Sequence, residues 1–162
     1  MSMGIRRIFG GIREALIRGP GIRVRPKVWV GYEAESEAKW QERFGYSRRL
    51  PDVAIFRAAL DPEVLATDEA EAETVVRLAY SWGSAAAFGR RVSSSIVQAV
   101  ALCCEVTVWS RASGEVLERR VFAGAPPPDS VLSQPRLCKD EVFGEMPPVG
   151  EIIGFLRDLR VE

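Results

Sequence analysis

Three thiols, at Cys103, Cys104 and Cys138, are the side chains of this 162-residue chain best suited to covalent chemistry. A cysteine attacks as the thiolate, which at neutral pH needs a neighbouring base or cation. The chain contains no histidine. That removes Cys–His, Ser–His and histidine–metal chemistry together. Cys103 and Cys104 are adjacent in an apolar run, so in a strand one thiol faces each side of the sheet. At least one is expected to be buried and inert. Neighbouring cysteines do not reach relaxed disulfide geometry, and a zinc site needs a fourth ligand. The three read as free thiols in a reducing compartment. Cys138, beside Lys139, is the better-placed thiol for redox sensing.

The remaining chemical groups form no recognised set. Residues 61–73 hold Asp61, Glu63, Asp68, Glu69, Glu71 and Glu73 without a basic residue. They lack the spacing of a calcium loop, and nothing selects two of them as a hydrolytic pair; a solvated acidic face is expected. Gly83 to Gly89 is a small-residue loop beside Arg90-Arg91. It departs from a phosphate loop, with five residues between its glycines and arginines where Lys-Ser/Thr is required. Pro126-Pro127-Pro128 suits a stiffened loop or a polyproline II ligand. No catalytic residue, metal ligand or cofactor is expected.

Charge is distributed unevenly. The first 27 residues hold Arg6, Arg7, Arg13, Arg18, Arg23, Arg25 and Lys27 against Glu14, a balance of +6, whereas the whole chain is neutral. A basic arm is joined to an acidic body. Within the arm, Ile5, Ile8, Phe9, Ile12 and Leu16 fall on one stripe of a helix over residues 3–18. Arg6, Arg7, Arg13 and Arg18 lie on its flanks and back. Gly10 and Gly11 weaken it by roughly 1 kcal/mol each relative to alanine, so it needs a surface to fold against. That surface is the chain's own sheet, a groove on a protein partner, or anionic lipid. The dibasic pairs Arg48-Arg49, Arg90-Arg91 and Arg119-Arg120 suggest a phosphate track, but no recognition motif accompanies them and the body is acidic; nucleic acid is not the expected partner.

The elements that must carry these groups are legible in outline. Gly19-Pro20-Gly21 ends the arm, and residues 19–26 read as a linker. Lys27–Tyr32 reads as a strand, 33–45 as a short helix, Asp52–Leu60 as a second strand and Glu73–Trp82 as a third. Ser95–Ser110 and Glu115–Phe122 form a hairpin turned at residues 111–114. Residues 123–148 hold six prolines and read as a long loop. A helix over Val149–Leu159 closes the chain, burying Ile152, Ile153, Phe155, Leu156 and Leu159. Trp29, Trp82 and Trp109 read as core, and Trp40 as the tryptophan best placed at an interface.

The expected fold is α+β: a mainly antiparallel sheet with a long C-terminal hairpin, a packed C-terminal helix and the amphipathic basic N-terminal helix. Residues 1–26 form the helix and linker, and 27–162 a single domain. No apolar run approaches the length of a membrane span, and arginines break any secretory signal. Arginine exceeds lysine by 19 to 3, a bias that fits a GC-rich bacterial genome and a cytoplasmic location. The expected function is a non-enzymatic adaptor subunit of a bacterial assembly. It would dock on a protein partner through Ile5, Arg6, Arg7, Ile8, Phe9, Ile12, Arg13, Leu16 and Arg18. The alternatives are a peripheral membrane protein using the same helix, and an enzyme with thiol or carboxylate chemistry.

Overall fold

The computed structural model describes residues 21–84, 97–127 and 140–162. The docking helix and all nine of its proposed contact residues lie outside them, as do Cys138, Arg90-Arg91 and most of the Gly83–Gly89 loop.

The described chain is α+β. Strand β1 (Arg23–Val24) is followed by β2 (Val28–Tyr32), helix α1 (Ala34–Phe44), helix α2 (Val53–Arg57), β3 (Thr74–Ser84), β4 (Val97–Ser110), β5 (Val116–Ala123), β6 (Asp140–Phe143), α3 (Val149–Arg157) and β7 (Arg160–Val161). The main sheet has the order β2-β3-β4-β5, and β6 also pairs with β4, on the stretch beyond the end of β5. The sheet is mixed. β3–β4 and β4–β5 are antiparallel, whereas β2–β3 and β4–β6 are parallel. A parallel neighbour needs a long crossover, and residues 33–73 supply it with α1 and α2.

The hairpin falls where the β-branched pattern puts it, with Gly114 at φ 70° in its turn. Several expectations fail. Asp52–Leu60 is not a strand: Asp52 caps a short helix, its carboxylate accepting from the Ala54 N–H at 3.0 Å, and Phe56 is carried into the core. The long proline-rich loop is interrupted by β6, which the parallel ladder to Val97–Val100 holds in place. Arg23 and Val24, within the stretch read as linker, pair with Arg160 and Val161, and Val24 is buried.

One face of the sheet builds the core. Val76, Leu78 and Tyr80 of β3 alternate inward, as do Leu102, Cys104, Val106 and Val108 of β4. Trp40 and Phe44, four apart on α1, reach the same face, and Ile152 and Leu156, four apart on α3, close the other end. Trp40 is 1% exposed, which overturns its placing at an interface; Trp29, Trp82 and Trp109 are only partly buried. Its Nε1 donates to the Arg48 carbonyl at 2.7 Å, so the one polar atom of the indole is satisfied inside the core. On the opposite face Val75, Ala99, Ala101 and Cys103 are buried too, so β4 is covered on both sides over its first half.

Candidate functional site

The thiols come first, because they are the strongest nucleophiles available. Cys104 is fully buried in the core and Cys103 is buried on the other side of the sheet, the opposed arrangement their adjacency implies. Burial pushes the Cys103 thiol up to about 11 and the Cys104 thiol up to about 12. Both stay protonated at neutral pH and out of reach of a substrate, so neither acts as a nucleophile. The Tyr80 hydroxyl beside Cys104 is raised chiefly by the same burial. The Tyr32 hydroxyl, also raised by burial, donates to the Pro51 carbonyl and fixes the start of α2 against β2.

The acidic segment is structural. Pro62–Val64 and Glu69–Glu71 are single 3-10 turns. Asp61 caps the first by accepting from the Glu63 N–H, and Asp68 caps the second by accepting from the Ala70 N–H. Glu69 pairs with Arg77. No group of three or more metal-ligating side chains occurs among the described residues.

What the structure does assemble is arginine on aromatic rings, with two arginines on one ring at two places. The first is the end of the core beside α1. Arg43 and Arg48 both stack on Phe143, at 5.4 and 5.1 Å from its centroid, and Phe143 packs edge-on against Phe44. Arg43 also pairs with Glu141. Next to this cluster lies an open cavity of about 420 Å³ lined by Lys39, Glu42, Arg43 and Trp82. Two cations, one carboxylate and one indole face make a shallow recess that is open rather than closed on all sides.

The second place is the opposite face of the sheet. Arg77 and Arg111 bracket Trp109, at 5.8 and 6.0 Å from its ring. Arg111 is anchored by Nε to the Ala72 carbonyl at 2.8 Å and by a terminal nitrogen to the Glu69 carbonyl at 2.5 Å. On β2 the Trp29 ring lies flat over Gly31, where any Cβ would strike it. Sequence reasoning places Trp29, Trp82 and Trp109 in the core and singles out neither Arg77 nor Arg111. The signal it missed is local: Arg77 and Trp109 have the same side-chain parity on facing strands, but only the β3–β4 register brings them together.

Comparison with known proteins assigns nothing here. No protein-family model matches the chain. No curated protein matches it either. Among solved structures it is similar to the hypothetical protein CT253 from Chlamydia trachomatis, at 15% identity over 65% of this chain and 71% of that one, with a TM-score of 0.23.

Proposed function

We propose that this chain is a non-enzymatic interaction subunit, an α+β scaffold that engages a protein partner, with the basic N-terminal segment as its docking element. The observation that supports this reading is where the body's positive charge goes. Arg57 donates to the Val30 carbonyl at 2.8 Å, Lys27 to the Glu63 carbonyl at 2.6 Å, and Arg119 pairs with Glu105 at 3.3 Å. Arg43, Arg48, Arg77 and Arg111 are committed to rings, carbonyls and carboxylates of the same domain. The body uses these cations internally, Lys27 among them, and the sequence sets four more, Arg6, Arg7, Arg13 and Arg18, against Glu14 in residues 1–20. Charge held within a fold contributes little to steering, whereas charge on an arm raises the rate and fixes the orientation of association. The recess at Lys39, Glu42, Arg43 and Trp82 gives the body a contact surface of its own. Arginine and tryptophan are the side chains most enriched where binding energy concentrates.

The test uses the full chain. Arg6, Arg7 and Arg13 are reversed to glutamate in one variant, and Ile8 and Ile12 are changed to aspartate in another. Each is compared with the wild type by affinity purification and cross-linking mass spectrometry. A specific partner cross-linked through residues 1–20 and lost in both variants supports the proposal. A partner retained undiminished by both refutes the arm as docking element. Flotation on anionic vesicles that both variants lose, with no protein partner, transfers the arm to lipid. No helix among the described residues is long and apolar enough to cross a membrane.

A further inference from the structure

We infer that the open edge of β5 is a self-association surface. Two copies of this chain pair antiparallel along Leu117–Val121, about a two-fold axis at Arg119. β5 is the last strand on its side of the sheet, and among the described residues none pairs with its outer edge. A row of unpaired N–H and C=O groups is a template for another strand.

The ladder shows which groups face outward. The Gly124 N–H donates to the Leu102 carbonyl at 2.9 Å, the Gly144 N–H to the Val100 carbonyl at 2.8 Å, and the Arg111 N–H to the Glu73 carbonyl at 2.9 Å. Even-numbered residues of β4 therefore bond toward β5 and β6, and odd-numbered residues toward β3. Opposite them, Glu118, Arg120 and Phe122 pair with Val108, Val106 and Cys104 and turn their backbone groups inward. Arg119 and Val121 turn theirs outward, and Leu117 stands at the bulge that ends this alternation.

A two-fold pair keeps side chains of one parity opposite each other, which leaves registers centred on Glu118, Arg119 or Arg120. Centring on Glu118 sets glutamate against glutamate, and centring on Arg120 sets arginine against arginine. Centring on Arg119 sets Glu118 opposite Arg120 of the second copy, twice, and Leu117 opposite Val121 of the second copy, twice. Each of the three centres sets one like-charged pair on the axis, Arg119 included, but only the Arg119 centre adds opposite charges directly across, twice, so the pattern selects it. None of these charges is bare: Arg119 pairs with its own Glu105 at 3.3 Å, and Glu118 and Arg120 lie 3.8 Å apart within one strand, so in the pair each of these two gains a second, opposite neighbour.

The exposed apolar surface points to the same strand. Val116 is 48% and Leu117 38% exposed, two of the four large hydrophobics left open among the described residues, with Tyr46 and Ile55. A bulge opposite Val108/Trp109 ends the regular edge at Leu117. The contact is short, so association is concentration-dependent.

Sedimentation equilibrium of the full chain, from low micromolar to sub-millimolar concentration, is the test. The weight-average mass of the wild type is expected to rise from one chain toward two. Glu118→Arg and Arg120→Glu, each alone, are expected to stay monomeric, because each sets like charges across the axis. An equimolar mixture of the two is expected to dimerise again. Arg119→Pro removes an N–H that makes no bond to β4 and is also expected to abolish the dimer. Far-UV circular dichroism checks that each variant is folded. A wild type that stays monomeric overturns the inference. So does a dimer that all three variants keep, or a mixture that stays monomeric.

Discussion

Replacing Trp40 separates a core tryptophan from an interface one. Its ring sits 4.3 Å from Phe44, 5.8 Å from Tyr80 and 6.0 Å from Trp82, centroid to centroid, and it is 1% exposed. A buried aromatic of this size removes roughly 150–250 Å² from water, about 4–6 kcal/mol at about 25 cal/mol per Å². The unfolded chain already buries part of that area, and tryptophan-to-alanine changes in cores cost about 3–5 kcal/mol. Trp40→Ala is therefore expected to cost about 4 kcal/mol. Trp40→Phe keeps an aromatic in the cluster but leaves the Arg48 carbonyl without its donor. That loss alone is worth about 1–3 kcal/mol, and the change as a whole is expected to cost about 2–3 kcal/mol. Trp82→Ala, in the same cluster but partly exposed, is expected to cost less than either. Urea unfolding of the full chain, followed by far-UV circular dichroism, reads these as shifts in midpoint at constant slope. A loss under about 1 kcal/mol for Trp40→Ala, or a larger loss for Trp82→Ala, would refute the placing of Trp40 at the centre of the core.

Two further expectations test the site and the backbone. Burial raises the folded-state values of Cys103 and Cys104 to about 11 and about 12, above an ordinary thiol. Their contribution to stability is therefore complete below about pH 8.5 and is lost as the pH climbs through the folded values, by up to about 1.4 kcal/mol per pH unit per group. Urea midpoints falling from pH 8.5 to 10.5, less steeply in Cys104→Ala, would bear this out; a flat profile would not. In a Cys138→Ser background, both thiols should react with a disulfide reagent only on unfolding, and rapid reaction of the native protein would contradict their burial. At Gly124 an added Cβ meets the backbone of Glu145 and Met146, whereas at Gly154 on α3 it meets open space. Gly124→Ala is expected to destabilise by about 2–3 kcal/mol through overpacking, and Gly154→Ala to stabilise by about 0.5–1 kcal/mol through helix propensity, both read by urea midpoint.

Local pattern carried the strands that pair with a chain neighbour. β3, β4 and β5 are long, rich in β-branched and aromatic residues, and joined in part by a tight turn, so periodicity found them. It failed where the deciding contact is distant. The four residues of β6 have no alternation to show and are held by a parallel ladder to β4. The five residues of α2 are fewer than two turns, too few for a helical period, and Pro51-Asp52 reads equally as a turn before a strand or as a cap before a helix. That ambiguity hid the parallel pairing of β2 with β3, since a strand at 52–60 breaks the strand–helix–strand pattern that signals a crossover. Trp40 was legible. It stands four residues before Phe44, and Glu35, Lys39, Glu42 and Arg43 surround the pair on the exposed flanks of α1.

The arginines show most clearly what sequence alone cannot weigh. Arg48-Arg49 and Arg119-Arg120 look like equivalent dibasic pairs, and their neighbours along the chain do not distinguish them. Folding gives each residue a separate neighbour. Arg48 stacks on Phe143 and Arg49 on Tyr46, while Arg119 pairs with Glu105 and Arg120 lies over Phe155 beside Glu118. A guanidinium on a ring or against a carboxylate in the same domain is neutralised locally, and such pairs separated by more than about 10 Å contribute little joint field at ordinary salt. A dibasic pair split between two faces of a strand cannot track a phosphate backbone, which is the case for Arg119 and Arg120 on β5. The same split makes β5 self-complementary: with Arg119 on one face, Glu118 and Arg120 share the other, where a second copy in reverse direction meets each with its opposite charge. For Arg119-Arg120, then, side-chain parity rather than charge count decides what the pair can do together.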